Sequence, residues 1–139
     1  MAALWLLDTC VLSETVKPQP DAKVMRWLAG HEGEGSISVV SVAEFSFGVL
    51  RLAAGRRRHQ LQAWLNELRT GFGDSVLPTD EAVWLAFARL KASLLQVGKP
   101  QDDLDLLIAA TAQVHGLSLV TRNSKDFLDT GVALVNPWR

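Results

Sequence analysis

Leu4-Trp5-Leu6-Leu7-Asp8 is a short apolar run that stops on an acid. A run of this kind reads as a strand covered on both faces, as strands of parallel sheets are. Similar runs recur at Ser36-Ile-Ser-Val-Val40, Ser75-Val-Leu77, Leu117-Ser-Leu-Val-Thr121 and Val132-Ala-Leu-Val135. Helical patterns lie between them. Asp21 stands where a cap belongs, after Pro18 and Pro20 and before Val24, Trp27 and Leu28. A helix is predicted from Ser41 to about residue 54, stopping at Gly55. Leu61, Leu65, Leu68 and Phe72 mark the buried stripe of a helix over residues 57–72. Val83, Phe87, Leu90, Leu94 and Val97 mark another, closed by Gly98 and Pro100. A further helix is expected from about Asp102 to His115 with Gly116 as its C-cap, and a short helical turn from Asn123 to Leu128. Strands alternating with helices give an α/β fold with a mainly parallel sheet. No repeat, low-complexity stretch or long linker divides the chain, so residues 1–139 are read as a single domain.

Composition narrows the function classes. The chain has 14 Lys+Arg against 15 Asp+Glu, with 48% hydrophobic and 21% charged residues, which is too apolar for disorder. The near-neutral balance argues against coating nucleic acid by bulk charge and leaves room only for a local basic patch. A single cysteine, Cys10, excludes an internal disulfide and fits a reducing compartment. No apolar run is long enough to span a bilayer, and Asp8 interrupts the N-terminal run before a signal-peptide core forms. A cytoplasmic protein is expected.

Open parallel sheets bind ligands beyond the carboxyl ends of their strands. Asp8 lies at such an end, where it caps the following turn with Thr9 helping, or takes part in chemistry. Ser41-Val-Ala-Glu44 has the form of a capping box, in which Glu44 would bond back to its own helix terminus. Against that, the helix is apolar nearly all round, and Glu44, Gly48 and Arg51 share its one polar face, a strip suited to phosphate. In Asp102-Asp103-Leu104-Asp105, Asp102 reads as the cap and Asp103 as solvated. Asp105 lies inside the helix before a highly apolar run. After the strand ending at Val120, Thr121 is placed to hold a neighbouring carboxylate, and Asn123 to cap the next turn. Asp126 is placed to reach the same crevice.

Taken singly these are weak signals. Together, carboxylates at several strand ends would repel one another in a crevice of low dielectric, and a hard divalent cation relieves that repulsion. All-oxygen ligands select Mg2+ or Mn2+, and the absence of a Cys-x-x-Cys or paired-His motif leaves zinc without support. Carboxylate-held magnesium serves phosphodiester chemistry.

The residues then match a family. Leu6-Leu7-Asp8-Thr-Cys-Val-Leu-Ser-Glu14, Ile37-Ser-Val-Val-Ser-Val-Ala-Glu44 with Gly48, Asp105-Leu-Leu-Ile-Ala-Ala-Thr-Ala112, His115-Gly-Leu-Ser-Leu-Val-Thr-Arg-Asn123, Lys125-Asp126-Phe127 and Asn136-Pro-Trp138 follow in order. With these pieces the chain resembles PIN-domain ribonucleases, specifically the VapC-like toxins of bacterial toxin–antitoxin pairs and their FitB-type branch. The resemblance implies a three-layer α/β/α sandwich. It also implies an acidic metal-binding triad of Asp8, Glu44 and Asp105, with Asp8 and Asp105 as direct Mg2+ ligands and Glu44 acting through water. The family's fourth acidic place falls at or near Asn123, with Asp126 the nearest acid. Transfer or ribosomal RNA is the implied substrate, a VapB-like antitoxin the implied partner, and a homodimer the implied assembly.

Five Arg against one Glu between Val49 and Arg69, with Arg56 and Arg57 at the head of a helix, form a local basic patch suited to an RNA backbone. Arg51 and Arg122 flank the candidate carboxylates in sequence. Cys10 has no histidine near it and is expected as a small buried residue. The competing functions are a catalytically silent PIN-like interaction module and a Mg2+-dependent phosphohydrolase with a strand-end Asp nucleophile. The latter wants an acid two residues on, where Cys10 stands.

Overall fold

Residues 3–139 are described by a computed structural model. Five strands form one sheet: β1 (Trp5–Leu7), β2 (Gly35–Ser38), β3 (Val76–Leu77), β4 (Ser118–Val120) and β5 (Leu134–Val135). Their order is β3-β2-β1-β4-β5 and every pairing is parallel. The chain leaves β1 in one direction for β2 and reaches β4 on the other side much later. The crevice between the carboxyl ends of β1 and β4 is therefore the topological switch point, where ligands of such sheets bind.

The six helices are α1 (Thr9–Glu14), α2 (Ala22–Gly30), α3 (Val39–Leu50), α4 (Arg56–Phe72), α5 (Glu81–Gln96) and α6 (Asp103–His115). Alternation along the strands divides their side chains between two cores. Leu6 and Leu119 pack with Val83 and Ala86 of α5 and Leu107 to Ala112 of α6. Leu7 and Val120 pack on the opposite face with Val11, Leu12 and Val24, backed by Leu68 and Phe72 of α4. Helices on both faces of a parallel sheet make the three-layer sandwich expected from the resemblance.

Local chemistry explains most element ends. The Asp21 carboxylate accepts from the amides of Lys23 and Val24 and opens α2. Asp102 does the same for Leu104 and Asp105 at the head of α6. Exposed Asp103 pairs with Lys91 at 2.9 Å. Gly116 takes φ +65°, a left-handed value that favours glycine, and the Leu117 amide turns back to the Ala112 carbonyl at 2.9 Å. Buried Glu14 accepts from Lys17 Nζ at 2.8 Å and from the Asp21 amide at 2.9 Å, bridging the proline-bearing link between α1 and α2.

The start of α3 differs from the sequence expectation. The strand ends at Ser38 rather than Val40, and Ser38, not Ser41, is the cap, its hydroxyl accepting from the Val40 amide at 3.0 Å. Val39 and Val40 are β-branched and read as strand, but Val40 is buried against the α5–α6 core from the first turn of the helix. Packing overrides propensity there. α3 also ends at Leu50, capped by Arg51, short of residue 54. Among the described residues no helix is long and apolar enough to cross a membrane.

Candidate active site

β1 delivers Asp8 to the switch point, where it is buried and held on both oxygens. Oδ1 accepts from the Thr9 amide at 2.8 Å, so the residue does cap α1. Oδ2 accepts from the Thr121 hydroxyl at 2.8 Å, across the β1–β4 boundary. The Thr121 hydroxyl in turn accepts from the Asn123 amide at 3.1 Å, which directs its proton toward Asp8. Thr121 is thus seated on a neighbouring carboxylate.

Glu44 lies in the second turn of α3, half-buried. Its Oε1 accepts from the Thr9 hydroxyl at 2.7 Å. With the helix starting at Val39, Glu44 is free of any capping box, and Ser41 is wholly buried with its hydroxyl 2.8 Å from Thr9 Oγ1. Burial raises the Glu44 carboxyl above its ordinary value and nearby Asp8 adds to the rise, while the Thr9 bond works against it.

Asp105, on the first turn of α6, completes the approach. Burial first, then the charges of Asp8, Asp102, Asp126 and Glu44, push its carboxyl up to about 6. Four acids from separate elements therefore act on one carboxyl, which accepts no hydrogen bond among the described residues. Asp126 contributes charge to this crevice. Asn123 is exposed and stands at the N-cap position of the turn over 124–126, but contrary to its expected role its side chain makes no cap hydrogen bond; its backbone amide donates to Thr121 Oγ1.

Among the described residues, no three His, Cys, Asp or Glu side chains are drawn together tightly enough to cage an ion. The carboxylates converge as a loose, mutually repelling set. Its donors are all hard oxygens, and the charges of Asp8, Asp102, Asp126 and Glu44 add to burial in raising the Asp105 carboxyl. Donor chemistry and charge both suit Mg2+ or Mn2+.

Cys10 is half-buried, with Sγ 3.5 Å from Asp8 Oδ2, and its thiol is pushed up to about 11 by burial and then by Asp8. The Arg122 guanidinium lies 5.3 Å from the Trp138 ring centre, and the Arg122 amide donates to Cys10 Sγ at 3.5 Å, which puts this arginine at the crevice edge. Arg51 is placed differently: it ends α3 and stacks over Phe47 at 5.4 Å, about two turns beyond Glu44. Arg56 and Arg57 are exposed at the head of α4, and the space beside Gly48 is open. An apolar hollow of about 550 Å³ adjoins Glu44, between Val39, Ala43, Phe47 and Leu104. A hollow of about 600 Å³ between α2 and α4 reaches none of the crevice carboxylates.

The sequence reading treated Thr9 as an aid to capping and Ser41 as the cap itself. Their joint place beside Glu44 was missed. The available signal was the i, i+3 spacing of Ser41 and Glu44, which puts a hydroxyl on the acid's own face of the helix.

Known proteins resemble the chain in sequence and in fold. The PIN domain family profile matches residues 5–133. Toxin FitB of Neisseria gonorrhoeae (strain ATCC 700825 / FA 1090) is 36% identical over 135 residues, covering 96% of this chain and 97% of that protein. VapC ribonuclease Y4jK of Sinorhizobium fredii is likewise 36% identical over 135 residues, covering 96% of each. The crystal structure of FitAcB from Neisseria gonorrhoeae superposes with a TM-score of 0.92 at 35% identity, over 98% of this chain and 99% of that one. With fold and sequence in agreement along almost its whole length, the chain belongs to the PIN-domain family.

Proposed function

We propose that the chain is a Mg2+-dependent endoribonuclease and the toxin of a VapBC-like toxin–antitoxin pair. The observation that carries this reading is the convergence of Asp8, Glu44 and Asp105 on the switch-point crevice from β1, α3 and α6, with the Thr9 amide on Asp8 and the Thr9 hydroxyl on Glu44. Relatives named as a toxin and as a ribonuclease support it. Asp8 and Asp105 would hold the ion, with Glu44 reaching it through water. When bound, Mg2+, or Mn2+ in its place, supplies charge stabilisation at a phosphoryl oxygen and lowers the pKa of water.

The chain's own residues supply the rest. Asp8 is fixed by Thr9 and Thr121, so its remaining lone pairs keep one direction. Glu44 has Oε1 occupied by Thr9 and Oε2 free to accept a proton from the attacking water. Asp126, with Asn123 beside it, fills the fourth polar place. Arg122 meets the RNA phosphate at the crevice edge, while Arg51, Arg56 and Arg57 receive the backbone farther out. The antitoxin would quench the site by placing a cationic side chain among the carboxylates. A homodimer would cover the apolar face of α3, where Phe47 and Leu50 are 64% and 63% exposed.

The purified chain, free of antitoxin, should cleave transfer or ribosomal RNA in Mg2+ and leave 5′-phosphate and 3′-hydroxyl ends. Chelation should stop it. Asp8→Asn and Asp105→Asn should each abolish cleavage with an unchanged circular dichroism spectrum, and retained cleavage by either variant would refute the site. A parent chain that cuts no RNA in Mg2+ or Mn2+ would favour the silent interaction module.

A further inference from the structure

We propose that Ser41 is a positioning residue for Glu44, acting through the Thr9 hydroxyl. The inference rests on the nuclease reading for its consequence, but on hydrogen-bond geometry for its substance. A threonine hydroxyl has one proton to give and two lone pairs to accept with. Thr9 Oγ1 lies 2.7 Å from Glu44 Oε1 and 2.8 Å from Ser41 Oγ. An ionised carboxylate only accepts, so the Thr9 proton goes to Glu44 and the Thr9 oxygen must accept from Ser41. Ser41 donates, Thr9 relays, and Glu44 receives.

Each member is constrained. Ser41 is 0% exposed, so it touches neither RNA nor ion and acts only through Thr9. It sits in the first turn of α3 without being its cap, and a buried hydroxyl there needs a partner. Thr9 is its hydrogen-bond partner among the described residues. The amide of the same Thr9 holds Asp8 Oδ1 at 2.8 Å. One residue therefore brackets two carboxylates, with its backbone on one and its side chain on the other. The Ser41 proton fixes the rotor of that bracket, and bonds in such a chain strengthen one another. Without it, the Thr9 hydroxyl is free to turn, and Glu44 loses both its direction and the full strength of its one side-chain donor.

Five proteins test this: the parent, Ser41→Ala, Thr9→Val, the double variant and, as the conservative control, Thr9→Ser. In RNA cleavage, Ser41→Ala should lower kcat about five-fold at unchanged KM, the rate equivalent of one neutral hydrogen bond. Thr9→Val should lower it further, and adding Ser41→Ala to Thr9→Val should cost nothing more, because the relay is already cut. Thr9→Ser should restore the parent rate. Independently of cleavage, the side-chain carboxyl carbon resonance of Glu44, assigned through Glu44→Gln, should move in Ser41→Ala in the same direction as in Thr9→Val. Multiplying kcat losses, or a Glu44 resonance that Ser41→Ala leaves in place, would overturn the proposal. A parent that cleaves no RNA removes the nuclease reading, and the resonance then decides the relay alone.

Discussion

Asp105 has an ordinary carboxyl value of 3.8 in the unfolded chain and about 6 in the fold, with burial the larger cause and four neighbouring acids the rest. Between those values the folded state keeps a proton that the unfolded state has released. The metal-free protein is therefore favoured by this group at low pH, and the contribution is lost as pH rises through about 6. Asp105→Asn keeps the shape and removes the charge. Without divalent ions it should raise the Tm at pH 7.5, and the difference should shrink toward pH 4. Equal gains at both pH values would show that charge crowding is not the cause. Adding Mg2+ should raise the Tm of the parent and leave that of Asp105→Asn nearly unmoved. The neighbouring thiol gives a simpler reading of the same crowding. With Cys10 pushed up to about 11 from 9.0, the thiolate is about a hundredfold scarcer than at an ordinary cysteine. Iodoacetamide at pH 7.5 should label Cys10 slower than free cysteine by a similar factor, and labelling at the ordinary rate would count against its surroundings as described.

At the scale of elements, α3 is where local rules compete. Ser38 and Ser41 both stand before apolar turns, and Ser41-Val-Ala-Glu44 has the better capping signature, yet the helix begins on Ser38 because Val40 is already committed to the core. Ser38→Ala should cost about 1 kcal/mol in chemical denaturation, as loss of a helix cap does. The cap expected at Ser41 would instead make Ser38→Ala neutral. The caps at Asp21, Asp102 and Gly116 were legible because each is satisfied by the two or three residues that follow or precede it. β1 and β4 were legible because apolar runs of that length have few other uses. The Thr9–Ser41–Glu44 network was not, since its partners lie 32 and 35 residues apart and no local pattern records the meeting. Arg51, by contrast, shares its helix with Glu44, and the axis of α3 carries it about two turns away from that acid.

Across the whole molecule, exposed apolar side chains are spread over several elements, and one group of them, Phe47, Leu50, Val39 and Leu104, lies on α3 and beside it. A patch of this kind on a compact domain calls for a covering surface. Light scattering should give twice the chain mass at micromolar concentration, and Phe47→Asp should return the single-chain mass without lowering the Tm. A monomeric parent would remove the homodimer.

The sheet order also has a consequence for the cell that makes this chain. Trp5 pairs with Ser118 and Asp8 is held by Thr121, a separation of 113 residues, so the central seam must wait for the distal strand. A nascent chain still threaded through the ribosome, with β4 inside the exit tunnel, has its crevice acids unassembled. Translation itself thereby delays the appearance of the finished crevice, and with it any chemistry that the crevice carries.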